Sequence, residues 1–365
     1  MSVSRREMNS ELSLLTTREA EVPVLMLSTS RAAHASRSGY SLLAEYIPGS
    51  EVLTAERRPP TDILGRVARF GLSRAAITSW YQLASASLEW RAWQRIRGGF
   101  EGVVHVLWAD SDLGVLDYLV RPAKQALCCT FHSSPDDLRK LIRFPDRLLN
   151  LRRIVLMSSS QVQYFLDCGV SEECICVIPH GVDTAYFHPA ARPETAKFTV
   201  LSVGSYKRNF PLLLEVCRRL KDNRDVEFRI VTAPSFHPLF ENLPNVTCEA
   251  NLTDEELLNA YQFASCYLMT AEDATANNAL LESMSCGLPV IAEGVGGITE
   301  YTTRDCALIT PPQKAEQIAE GILALQDCTR LREQMGGAAR RRAIELDWKY
   351  IANLTRDMYA QAVPR

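Results

Sequence analysis

The segment Glu272-Asp-Ala-Thr-Ala-Asn-Asn-Ala-Leu-Leu-Glu282-Ser-Met-Ser-Cys-Gly287-Leu-Pro289-Val-Ile-Ala292 concentrates residues that can hold a charged ligand. Thr275, Asn277 and Asn278 are good capping residues, 279–286 is a helix-forming run, and Gly287 stops it. A loop of small and amide residues that opens a helix leaves backbone N–H groups unpaired at the positive end of the helix dipole. That is an anion site, suited to a diphosphate. Glu282 falls near the middle of the same helix, where a carboxylate can accept both hydroxyls of a ribose. The plainer alternative is a capped helix with a solvated Glu. A second loop, Gly294-Val-Gly296-Gly297-Ile-Thr-Glu300, directly follows the next apolar run. Its glycines allow close backbone approach to a ligand, or simply a turn.

Such loops need a scaffold. Short apolar, β-branched runs alternate with longer helical patterns, which predicts an α/β fold of parallel sheets covered by helices. The expected strands are 22–28, 103–108, 126–131, 154–158 and 176–179, then, after a break, 198–203, 227–232, 266–269, 288–292 and 307–310. Between the two sets, 183–197 carries Pro189 and Pro193 with little periodicity and reads as a linker. The expected organisation is a mobile polar tail over 1–20, a first domain over 21–188, a second over 189–345 and a closing segment over 346–365. In sheets of this kind ligands bind beyond the carboxyl ends of the strands, which is where both loops lie.

Composition narrows the function classes. A chain of 365 residues suits roughly two domains. Its 47% hydrophobic and 23% charged content excludes a disordered chain. The net charge of −3 and the lack of a reader motif argue against nucleic acid as a partner. No apolar run approaches the ~20 residues that span a bilayer, and residues 1–21 lack the apolar core of a secretory signal. A soluble, cytoplasmic protein is expected. The 11 cysteines are odd in number, irregularly spaced and without a C-x-x-C pair, so they read as reduced core thiols, with neither disulfides nor a metal site expected. Asp110-Ser-Asp112 has metal-binding spacing but reads as polar loop. His105, inside an apolar run, reads as a satisfied core histidine, and His180 as structural.

Several motifs, taken in order, resemble one family. They are Thr130-Phe-His132-Ser-Ser-Pro135, Ser158-Ser-Ser-Gln161, Val177-Ile-Pro-His180-Gly-Val-Asp183, Leu201-Ser-Val-Gly204, Leu281-Glu282-Ser-Met-Ser-Cys-Gly287-Leu-Pro-Val-Ile-Ala292, Val295-Gly-Gly-Ile-Thr-Glu300 and Asp347-Trp348. Together, over about residues 100–360, they resemble the retaining glycosyltransferases of family 4, among the group 1 glycosyl transferases. The resemblance implies a GT-B fold: two Rossmann-like βαβ domains facing across a cleft, with a C-terminal helix crossing back to the first.

It also implies roles. Glu282 would hold the nucleotide ribose, and Asn277 and Asn278 would meet the diphosphate or the sugar. Gly204 would give the phosphates room, with Gly296 and Gly297 on the donor side as well. Lys207 and Arg208 would stabilise the departing diphosphate, a cationic pair standing in for a metal ion. His132 would contact the donor sugar, and Gly39, beside Tyr40, would line the cleft floor near the diphosphate. No cofactor is implied beyond the nucleotide-sugar substrate. The acceptor, whether saccharide, lipid-linked or small molecule, is not specified by these residues.

The chain departs from the family at one point. The family pairs two glutamates, and eight residues before Glu282 stands Ala274. Asp273, next to it, is the expected partial substitute. Ala274 keeps open a non-catalytic partner or binding subunit, and the fold is shared by nucleotide-sugar epimerases and glycoside phosphorylases. The phosphorylase would need a pyridoxal phosphate lysine that the sequence does not advertise. Residues 57–97 form a further anomaly: eight arginines against Asp62 and Glu89, with Trp80, Trp90 and Trp93. Arginine beside Trp suits peripheral contact with an anionic membrane or a lipid-linked acceptor, and equally a helical pair whose tryptophans pack inward while the arginines stay wet.

Overall fold

The computed structural model describes residues 22–30, 37–56, 71, 74–191 and 197–363. The expected tail over 1–20, positions 192–196 of the linker and positions 57–70 and 72–73 of the arginine-rich stretch lie outside the described residues.

Two parallel six-stranded sheets organise the described residues. The first contains β1 (Val24–Ser30), β2 (Glu51–Glu56), β3 (Gly102–Val106), β4 (Gln125–Phe131), β5 (Arg153–Leu156) and β6 (Ile175–Val177), in the spatial order β2-β1-β3-β4-β5-β6. The second contains β7 (Phe198–Val203), β8 (Val226–Val231), β9 (Val246–Glu249), β10 (Cys266–Met269), β11 (Val290–Glu293) and β12 (Ala307–Thr310), in the order β12-β11-β10-β7-β8-β9. Central strands covered on both faces require near-continuous apolar sequence. Accordingly, β3, β4, β10 and β11 are buried at every position. Cys128 and Cys129 lie in β4 as small core side chains.

The domains are tied together by the chain end. After Asp347, whose carboxylate accepts the Lys349 N–H at 2.8 Å, the helix Trp348–Ala362 returns to the first sheet. Trp348, Ile351, Met358 and Tyr359 pack there with Val24, Met26, Tyr40 and Leu43. His105 is fully buried between the Tyr359 hydroxyl (2.6 Å) and Thr130 Oγ1 (2.8 Å), and burial drives its pKa down to about 3. It is a neutral core group that fastens this helix to β3 and β4.

Candidate functional site between the domains

Strand order in the second sheet reverses between β7 and β10, the point where sheets of this type leave a crevice for a ligand. The loop after β7 carries Gly204, and the loop after β10 runs to Asn277. Gly204 has φ 108, and a Cβ there would sit 2.7 Å from Arg208 Nη2, so only glycine lets the guanidinium lie against this backbone. Arg208 is buried rather than a solvated loop charge. Its Nε and Nη2 donate to the Val203 carbonyl at 3.1 and 2.7 Å, and Nη2 also reaches Asn277 Oδ1 at 3.2 Å. Asn277 caps the helix Asn278–Ser285 by accepting the Leu280 N–H at 3.0 Å. A fixed cation therefore stands beside the positive end of a helix, a pairing that favours an anion.

Glu282 lies one turn into that helix and is buried, not solvated. Its two oxygens accept from the Ser38 hydroxyl (2.6 Å) and the Tyr261 hydroxyl (2.8 Å). Ser38 belongs to the first domain, so this contact crosses the cleft. Burial pushes the Glu282 carboxyl above its ordinary range, and the two hydrogen bonds offset this only in part. A small pocket adjoins it, lined by Ser38, Gly39, Gly181, Asn278, Glu282 and Trp348 among others. Gly39, φ 98, opens the short helix Tyr40–Tyr46. Tyr40 itself is fully buried, its hydroxyl pushed up to about 12 by burial, and packs edge-on against His132, His180 and Trp348.

Lys207 also spans the cleft. Its ammonium meets Asp137 at 2.6 Å and Ser134 Oγ at 2.8 Å in the first domain, and Asp273 at 3.6 Å in the second. Burial alone would raise the Asp137 carboxyl; hydrogen bonds from Lys207 and Tyr206 outweigh it and hold Asp137 below its ordinary range. His132 is packed at the mouth of β4, stacked on Trp108 with ring centroids 4.1 Å apart. Its Nε2 donates to the Leu107 carbonyl at 2.8 Å, and its own carbonyl accepts from Thr275 Oγ1 across the cleft. Asp110 holds the loop in place by accepting the N–H groups of His132 (2.8 Å) and Ser133 (3.0 Å). Asp112 accepts from Thr29 and Ser85. The pair expected to be polar loop is instead a buried staple.

Gly296 and Gly297 are required by the packing of two loops. A Cβ on Gly296 would lie 2.1 Å from the Ala274 carbonyl, and one on Gly297 would lie 2.2 Å from the Thr275 carbonyl and 2.7 Å from Ser158. They let the 273–275 loop lie directly on the 294–297 loop, with Gly297 N donating to Ala274 O at 2.7 Å. Glu300, on the following turn, accepts from Ser158 Oγ and from Ser159 in the first domain.

Residues 197–327 match the family model described as glycosyl transferases group 1. Over that stretch the second domain is similar to the group 1 glycosyl transferases. Over 223 residues the chain is 27% identical to an MMP alpha-(1->4)-mannosyltransferase of Mycolicibacterium hassiacum, covering 58% of this chain and 54% of that one. It is 27% identical over 237 residues to a D-inositol 3-phosphate glycosyltransferase of Pseudarthrobacter chlorophenolicus, covering 59% and 56%. The match thus spans about half the length of these curated relatives. Among solved structures, sucrose-phosphate synthase from Thermosynechococcus elongatus superposes with TM-score 0.71 at 18% identity, covering 93% of this chain and 98% of that one. HepE of Anabaena, solved in complex with UDP-glucose, gives TM-score 0.67 at 13% identity, covering 93% and 100%. These likenesses establish the fold, which is GT-B.

Within the second domain the structure brings Gly204, Arg208, Asn277, Asn278 and Glu282 to one side of the cleft, with Lys207 and Asp273 at its edge. Gly39 and His132 face them from the first domain. Sequence reasoning missed Ser38, Asp137 and Tyr261, whose partners lie 244, 70 and 21 residues away. Asp110 stands out in the sequence only for its spacing from Asp112. A polar residue after a strand was the available signal, and it does not say which partner the fold supplies.

Proposed function

We propose that the protein is a retaining glycosyltransferase that moves a sugar from a nucleotide-activated donor to an acceptor hydroxyl without a metal ion. The observation that carries this reading is Glu282: a buried carboxylate one turn past a capped helix start, ligated by hydroxyls, one of which comes from across the cleft. A ribose diol offers the same donors as Ser38 and Tyr261, so a nucleotide can replace a cross-cleft hydroxyl without leaving a carboxylate bare. The diphosphate would then meet the Asn278 end of the helix, with Arg208 and a released Lys207 balancing its charge. HepE, bound to UDP-glucose, is a neighbour in fold and consistent with a nucleotide-sugar donor.

In this reading no protein group acts as nucleophile. The acceptor oxygen bonds to the anomeric carbon on the face the diphosphate leaves, the carbon–phosphate oxygen bond breaks, and the acceptor proton passes to the leaving phosphate. His132 and Asp273 position the sugar; Lys207 and Arg208 stabilise the charge that develops. The test is a transfer assay with chelator present, reading the anomeric configuration of the product by NMR. Retained configuration supports the mechanism; an inverted product or dependence on a divalent cation overturns it.

Ala274 favours one second reading, a partner subunit that binds without catalysis. Nucleotide binding without turnover over a broad acceptor set, restored by Ala274→Glu, would establish it.

A further inference from the structure

The helix Leu83–Arg97 has two unlike faces. Ser85, Leu88, Ala92 and Ile96 are buried against the first domain. The outward face carries Leu83, Trp90 and Arg97, seven residues apart and so on one side of the helix. Trp90 is 57% exposed, Trp80 just before the helix is 40% exposed, and Leu83 is 38% exposed. Trp90 and Trp93 pack on each other at 4.7 Å, and the Arg97 guanidinium lies 4.8 Å over Trp93. Trp90 therefore does not pack inward as the plainer sequence reading has it, while Trp93 is half-buried.

We propose that this face docks on an anionic lipid bilayer. An indole is apolar over its body and polar at its N–H, which suits the headgroup level of a membrane. The charge agrees. The helix holds one acid, Glu89, and it is buried, while Arg91, Arg95 and Arg97 are exposed. Arg95 is balanced by Glu51 at 2.6 Å and Arg91 donates to the Thr54 carbonyl at 2.8 Å, so the charge beside the exposed tryptophans is that of Arg97. Arginine and tryptophan with no exposed acid on the helix complement lipid phosphates.

The placement adds meaning. Ser85, in the first turn, donates to Asp112 Oδ1 at 2.8 Å, beside the carboxyl ends of the strands. Trp80 and Leu83 thus sit at the end of the helix nearest the cleft. If the transferase reading above holds, a bilayer docked here would carry a lipid-linked acceptor to the rim of the site; the docking itself does not depend on it.

The test is cosedimentation of the full chain with phosphatidylglycerol-containing vesicles and with pure phosphatidylcholine vesicles, without nucleotide. Binding to the anionic vesicles alone, weakening as salt rises, is expected. Trp90→Ala should lower the partition coefficient about tenfold or more, and Arg97→Ala about fivefold, with unchanged melting temperature in both. Equal or no sedimentation with the two vesicle types overturns the proposal. So does unchanged partition of a folded Trp90→Ala variant. A wild-type dimer in light scattering that Trp90→Ala converts to monomer would assign the face to a second copy instead. A nucleotide titration on the same samples separates failure of this surface from failure of the donor site.

Discussion

Glu89 in the first domain and Glu282 in the second are both helical, both buried and both bonded to a tyrosine hydroxyl, yet their other partners differ. Glu89 accepts from the Tyr81 hydroxyl (2.6 Å) and from the backbone N–H groups of Gly114 (2.7 Å), Val115 (2.9 Å) and Leu116 (3.1 Å). Glu282 accepts from Tyr261 and from the Ser38 hydroxyl across the cleft. Burial raises both carboxyls, so neither burial nor pKa direction separates them. Partner type does. Backbone amides fixed in a turn have no substitute and make a structural staple; a side-chain hydroxyl from another domain can be exchanged for a ligand's. The same contrast separates Asp110, held by two backbone N–H groups, from Lys207, held by side chains on both walls of the cleft.

The sharpest way to break this distinction is Glu89→Ala. Two buried N–H groups and the half-buried one of Val115 would lose their acceptor, at ~1–3 kcal/mol for each buried one, so urea unfolding should show a loss of about 3 kcal/mol or more. A loss under about 1 kcal/mol would show that the staple is not one. Lys207→Met should slow turnover about hundredfold, the scale for removing one charge-stabilising donor, while nucleotide affinity changes little. Single-turnover rates alongside calorimetric affinities decide this, and an affinity loss matching the rate loss would move Lys207 to ground-state binding. Glu282→Gln should weaken nucleotide binding about tenfold or more but cost less stability than Glu89→Ala, because its partners are hydroxyls that can turn elsewhere. The smallest effect belongs to Ser38→Ala: it removes a competitor for Glu282, so nucleotide affinity should hold or tighten, by no more than about fivefold. Weakening beyond tenfold would make Ser38 part of the ligand's site.

A pH titration sharpens the contrast further. Because burial raises the folded-state pKa of Glu282, the neutral form persists above the ordinary carboxylate range. Its contribution to stability therefore falls as pH rises from the unfolded value to the folded one. Ribose hydroxyls are accepted by the ionised form, so nucleotide affinity should rise with pH through that same window. Glu282→Gln should abolish the rise, and a persisting pH dependence would assign it to another group.

Much of the fold was legible because central parallel strands must be apolar throughout. The runs at 103–108, 126–131, 198–203 and 266–269 correspond to β3, β4, β7 and β10. The two strands missed, Glu51–Glu56 and Val246–Glu249, are both sheet edges, where one side is solvated and Thr and Glu interrupt the apolar pattern. The donor-side helix was legible for a similar reason: its cap, its Glu and its terminal Gly are all local. What the sequence did not carry was distance. Whether Glu282 faces solvent or Ser38, whether Lys207 is free or shared by Asp137 and Asp273, and whether Gly296 admits a ligand or the Ala274 carbonyl are decided by elements far apart in the chain. Trp90 shows the same limit, since helical spacing places it on a face without saying what that face meets.

The central claim is that Glu282 holds the ribose of a nucleotide in a cleft needing no metal. Calorimetric titration of UDP, GDP, ADP and dTDP into the wild type and Glu282→Gln, with chelator present, addresses it directly. One nucleotide should bind the wild type and bind the folded variant about tenfold or more weakly. Equal affinity for both proteins, or no binding to the wild type until a divalent cation is added, would contradict it.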